Sequence, residues 1–115
     1  MRGTALVMDG SPRTARALGF ADRFRYWRGA SGRRYLFSAV TPDSLDDLVN
    51  VVVLTTVDGV DGDARVAWVG EIDEGGGRCG RSFADVAGRA RVWVHFLAAT
   101  GPERQAVLRD LTEAA

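Results

Sequence analysis

Apolar and polar residues along this chain alternate with the period of strands more often than with that of helices. Thr4–Met8 is an apolar run of strand length, and Asp9-Gly10 ends it with turn chemistry. Ser11-Pro12 then reads as a helix cap with proline at the first helical position, predicting a short helix to Leu18 that stops at Gly19 and docks through Leu18 and Phe20. Two aromatic-rich runs, 24–28 and 33–38, flank Gly29-Ala30-Ser31-Gly32, the pattern of a tight hairpin. With those four residues as the loop, Arg28 faces Arg33, Tyr26 faces Tyr35 and Phe24 faces Phe37, all rings on one side. The other side then carries Arg23, Arg25, Trp27, Arg34, Leu36 and Ser38, with Trp27 across from Arg34.

After Pro42 the acids of Thr41–Leu48 suit one helical turn, and Val49–Val57 is a near-continuous β-branched run. Such a run predicts a central strand buried on both faces. Asp58–Asp63 connects it to a strand Arg65–Ile72, with Val66, Trp68, Gly70 and Ile72 on one face, forming a second hairpin. Gly75–Gly80 reads as a flexible connection, and Ser82 with Asp85 as the cap of a short helix that turns Phe83 and Val86 inward and is limited by Gly88. Arg91–Ala98 alternates again, Val92, Val94 and Phe96 against Trp93, His95 and Leu97. Thr100 and Glu103 have capping-box spacing, and Arg104, Val107, Leu108 and Leu111 form one stripe of a last helix. The expected architecture is a single α+β domain over residues 1–115, a mostly antiparallel sheet of five or six strands with two or three short helices.

With 46% hydrophobic and 26% charged residues, the composition is that of a globular domain, and no apolar run is long enough to span a membrane. The first apolar stretch is too short for a signal-peptide core, so the expected location is cytoplasmic. One cysteine, Cys79, excludes an internal disulfide, and with His95 as the only histidine a zinc site of these ligands lacks members. No cofactor and no metal are expected. The net charge of zero hides a gradient: residues 1–34 carry +6, residues 41–74 carry −8 and residues 75–115 carry +2. All fifteen basic residues are arginine, whose planar fork suits carboxylate and phosphate partners.

Four constellations could carry chemistry. Arg23, Arg25, Trp27, Arg28, Arg33 and Arg34 gather on the hairpin 23–38, where guanidinium groups and an exposed ring could bind a protein or the phosphates and bases of a nucleic acid. Gly75–Ser82 spells a phosphate-binding loop with arginine in place of lysine, its anion contacts falling on Gly80, Arg81 and Ser82. Glu71–Glu74 beside it would repel phosphate, which favours the linker reading. The acids of 58–63 fit calcium poorly, because position five from Asp61 is Arg65 and position twelve is Ile72. Cys79 and His95 are a nucleophile and a base, yet nothing in their spacing brings them together.

From Val49 onward, Val51-Val52-Val53, the strand ending Trp68-Val69-Gly70, a helix, a strand and a last helix resemble a GIY-YIG nuclease domain. The resemblance implies two signature strands, a helix arginine and a metal-binding glutamate. Here a valine stands for the first signature tyrosine, Trp68 for the second, and Arg81 or Arg89 for the arginine, so it implies a catalytically dead member. Tyr26–Tyr35 together with Val94–Ala98 is similar to small alphaproteobacterial proteins, a likeness that implies no function. The expectation is a non-enzymatic binding or adaptor domain for a protein partner, with a homodimer as one form. A nucleic-acid-binding or dead nuclease-like domain is the alternative.

Overall fold

The computed structural model describes residues 7–8, 12–13, 17–19, 23–58, 64–82 and 90–114. Strands β1 (Val7–Met8), β2 (Phe24–Arg28), β3 (Arg34–Val40), β4 (Val51–Asp58), β5 (Ala64–Ile72), β6 (Arg78–Ser82) and β7 (Ala90–His95) form one sheet in the order β1-β2-β3-β7-β4-β5-β6. Every pairing is antiparallel. The 3-10 turn Pro42–Asp47 and helix α1 (Gly101–Ala114) stand beside it, an α+β fold with an open sheet and a C-terminal helix. Among the described residues the sheet has seven strands; the one not expected is the glycine-rich β6, which pairs with β5. β4, β5 and β6 follow one another in space and β7 returns beside β4, a Greek key.

β4 explains its own composition. Val52 and Leu54 enter a cluster with Trp27, Tyr35, Phe37, Val69 and Trp93, which α1 covers with Val107 and Leu111. Val51 and Val53 point the other way, to Ile72, Val92 and Val94, where Leu45 and Leu48 of the 3-10 region and Trp68 pack. A strand between two apolar layers carries no alternation, so the β-branched run was legible as the centre of the sheet.

The Thr100–Glu103 spacing caps α1 as expected, with one half of a capping box: the Glu103 amide donates to Thr100 Oγ1 at 3.2 Å, while the Glu103 carboxylate accepts from the Thr100 hydroxyl at 2.9 Å instead of from its amide. Leu111 has no exposed surface, a burial that contributes about 2 kcal/mol.

Three expectations change. β4 and β5 slip between Thr55 and Thr56, leaving Ala67 as the extra residue of a bulge, so Val66 joins the α1-side cluster while Trp68 packs on the opposite face. β7 ends at His95, and Phe96 and Leu97 are exposed, outside the alternation expected for them. Leu18 is 65% exposed and does not dock, although Gly19 takes the positive φ of a helix stop, 80°. Phe20, the acidic connection 59–63 and the helix expected after Ser82 lie outside the described residues.

Candidate functional site

The hairpin of β2 and β3 has a loop one residue longer than its glycines suggest. Arg28 pairs with Arg34, Trp27 with Tyr35, Tyr26 with Leu36 and Arg25 with Phe37. The Gly29 amide donates to the Arg33 carbonyl and the Gly32 amide to the Gly29 carbonyl, with Gly32 at φ 87°, so Arg33 belongs to the loop. A slip of one residue turns every β2 side chain to the other face. Trp27 is therefore 2% exposed, edge-on to Phe37 at 5.6 Å and to Trp93 at 5.1 Å, and is no exposed platform. This register buries the larger indole in the core and leaves Tyr26 half-buried on the outer face.

The six hairpin residues expected to act together separate accordingly. Arg25 lies on the α1 side, its guanidinium 5.9 Å from the Trp93 ring centroid and donating to the Phe24 carbonyl at 2.9 Å. Arg91 reaches the same ring at 5.8 Å. Arg23 lies just before β2 and borders, with Arg91, a cleft of about 460 Å³. On the outer face Arg28 stands directly opposite Arg34, and the Arg34 guanidinium lies 4.4 Å from the Tyr26 ring centroid. β7 separates the basic hairpin from the acidic strands, so the two do not pair.

A polar lock absent from the sequence reading fixes the loop. Asp110 of α1 accepts from the Ser31 amide at 2.7 Å, the Ser31 hydroxyl at 2.6 Å and the Tyr35 hydroxyl at 2.7 Å, while its carbonyl accepts from the Ala30 amide at 3.0 Å. Burial pushes the Asp110 carboxyl up, but the bonds from Ser31 and Tyr35 and the charge of Arg33 outweigh it and hold the group below the usual carboxylate range. Burial and the same bond push the Tyr35 phenol up. A side chain at Gly29 would run into the Asp110 carboxylate, so glycine is required there. Nothing in the sequence pairs two residues 79 positions apart.

The glycine-rich stretch is a hairpin, where a phosphate loop or a linker was expected. Asp73 Oδ1 accepts from the Gly75 amide at 3.0 Å and the Gly77 amide at 2.8 Å, so the donors a phosphate would need are already bonded. Gly80, Arg81 and Ser82 are consecutive residues of β6, paired with Gly70, Val69 and Trp68 in a ladder that gives no converging amides. Side chains at Gly70 or Gly80 would meet the Trp68 indole, which covers this glycine pair. That contact gives Trp68 a packing role at the position the nuclease resemblance assigns to a tyrosine.

Cys79, Glu71, Val52 and His95 are successive cross-strand partners, which sets Cys79 and His95 about 14 Å apart. His95 donates Nδ1–H to the Leu36 carbonyl at 2.7 Å and lies edge-on to Tyr35; burial holds its imidazole below the ordinary value, against the opposing pull of that bond. Among the described residues no cluster of three or more His, Cys, Asp or Glu could hold a metal ion. No family model, curated protein or solved structure matches this chain. Among the described residues no helix is long and apolar enough to cross a membrane.

Proposed function

We propose that this chain is a small non-enzymatic binding domain that meets a protein partner through the outer face of the β2–β3 hairpin. The observation that carries this is the pairing of Arg28 with Arg34, with Tyr26 under the Arg34 guanidinium. Two guanidinium groups side by side on one face of a hairpin offer donors in the fork geometry that a partner carboxylate accepts as charge-assisted hydrogen bonds. The Tyr26 ring adds apolar contact area that needs little ordering on binding.

A nucleic-acid-binding domain, including one resembling a silent nuclease, would use the same arginines but also needs a ring for bases to stack on. Trp27, the ring first in line for that role, is in the core, and the face of Tyr26 is already taken by the Arg34 guanidinium. The experiment captures partners on immobilised wild-type chain and on the Arg28→Ala, Arg34→Ala double variant, with reciprocal capture by each identified protein. In parallel a single-stranded oligonucleotide is titrated over a range of salt. The reading requires a partner lost with the double variant. Retention of the same proteins by the variant removes it, and oligonucleotide binding that weakens steeply with salt replaces it with the nucleic-acid reading.

A further inference from the structure

On the face of the sheet away from α1, Val53, Gly70 and Gly80 stand in one row across β4, β5 and β6. The row has no side chain beyond Val53, so it leaves a hollow between the row of Thr55 and Trp68 and the row of Val51, Ile72 and Arg78. Trp68 fills part of it, with Cζ2 and Cη2 of its six-membered ring lying where side chains on the two glycines would stand. What remains is a pocket of about 230 Å³, with the buried Val53 and Ile72 as its floor and Leu45, Thr55, Trp68 and Arg78 around them. Leu45 comes from the 3-10 turn, which Arg78 fastens to β6 through Asp46 at 2.9 Å. The bulge at Ala67 turns Val66 away and keeps Trp68 on this face, so the indole is placed by a local irregularity of the strand.

We propose that this pocket binds a small uncharged aromatic molecule that carries a hydrogen-bond acceptor, an aryl ketone being the simplest case. Size sets the first limit: a dry apolar cavity of roughly 150 Å³ holds a benzene ring, so about 230 Å³ takes one ring with a short substituent. The lining sets the second, because Val53, Ile72 and Leu45 offer apolar contact and Trp68 offers an aromatic partner to the ring. Two donors set the third. Thr55 and Trp68 are direct cross-strand partners, both half-buried, and among the described residues neither the Thr55 hydroxyl nor the Trp68 indole N–H donates to a protein group. An acceptor oxygen on the ligand gives them a partner inside the pocket, which an all-hydrocarbon ligand would not. Charge sets the fourth: the guanidinium of Arg78 is already balanced by Asp46, so the lining holds no open charge for an ionic ligand. The pocket lies on the β4–β5 side of the sheet with β7 between it and the hairpin, and it stands without the hairpin surface.

The probe is acetophenone, titrated into the isotope-labelled full chain and followed by the indole N–H and backbone amide resonances in heteronuclear NMR. Saturable shifts are expected in the Trp68 indole signal, assigned by its loss in Trp68→Phe, and in the amides of Val53, Thr55 and Ile72, while the indoles of Trp27 and Trp93 in the cluster under α1 stay in place. Ethylbenzene, which keeps the ring and lacks the acceptor, and benzoate, which brings a charge, are each expected to bind about tenfold more weakly. Thr55→Val removes the hydroxyl at nearly constant shape and is expected to weaken acetophenone by about fivefold. Leu45→Trp, on the half-buried turn, is expected to abolish binding by filling the pocket, with circular dichroism confirming that the fold is kept. Shifts that grow without saturating overturn the proposal, as do shifts centred on Trp27 or Trp93 or binding that Leu45→Trp leaves unchanged. Equal binding of ethylbenzene overturns the role given to the two donors, and tighter binding of benzoate overturns the uncharged class in favour of an anion.

Discussion

His95 and Asp110 show how single residues set the pH response. Burial keeps the His95 imidazole neutral in the fold, so below its ordinary value of 6.5 the unfolded chain takes up a proton that the folded chain refuses. Stability is therefore full above that value and declines as pH falls towards the lower folded one. Asp110 acts in a more acid window. Its folded carboxyl lies below the ordinary 3.8, so the stabilisation from Ser31, Tyr35 and Arg33 is present above 3.8 and is lost as pH drops through the folded value. Urea midpoints measured across pH are expected to fall in two stages. His95→Gln should flatten the first and Asp110→Asn the second; an unchanged upper stage in His95→Gln would refute the assignment. Neither environment could be read from the chain, since burial and partner are properties of the assembled fold.

At the scale of elements, a buried ion pair adds to the contacts that hold α1 to the sheet. Arg104 and Glu71 are 5% and 8% exposed, and Arg104 also donates to the Ala99 carbonyl at 3.0 Å. The sequence placed Arg104 in the apolar stripe of the last helix but read Glu71 only as one of the acids beside the glycine-rich stretch; their pairing, which buried charges require, came from the assembled fold. Removing one member strands a charge. Arg104→Met is expected to cost about 3 kcal/mol or more by chemical denaturation, while Arg104→Met combined with Glu71→Leu is expected to recover most of that loss. Equal losses in the single and double variants would show that the pair is not acting as a unit. The exposed pair of Arg78 with Asp46 at 2.9 Å joins β6 to the 3-10 turn, and Asp46→Ala is expected to change stability by less than about 0.5 kcal/mol.

For the molecule as a whole, β7 is the strand that makes one sheet of two halves. It lies between β3 and β4, so the N-terminal hairpin joins the Greek key only after the chain has been followed to residue 90. Such late pairing requires closing long loops before contacts reward it, and refolding followed by tryptophan fluorescence is expected on the millisecond to second scale. Complete recovery within microseconds would contradict a nucleus that needs β7. The same arrangement keeps the basic hairpin and the acidic strands apart, with β6 on the far margin.

Local chemistry determined the elements that rest on local rules: the cap at Thr100, the stripe of α1, the unalternating centre of the sheet and the hairpin β4–β5 all follow from spacing within a few residues. The register of β2 against β3 was decided elsewhere. Either loop length satisfies the glycines, and the choice comes from burying Trp27 between Phe37 and Trp93 and from Asp110 capturing Ser31. In the same way Gly75–Ser82 holds no strand signal of its own and becomes β6 because β5 offers a ladder and Trp68 covers the glycines. Where two local conformations cost nearly the same, contacts distant in the chain break the tie, and those contacts exist only once the sheet is assembled.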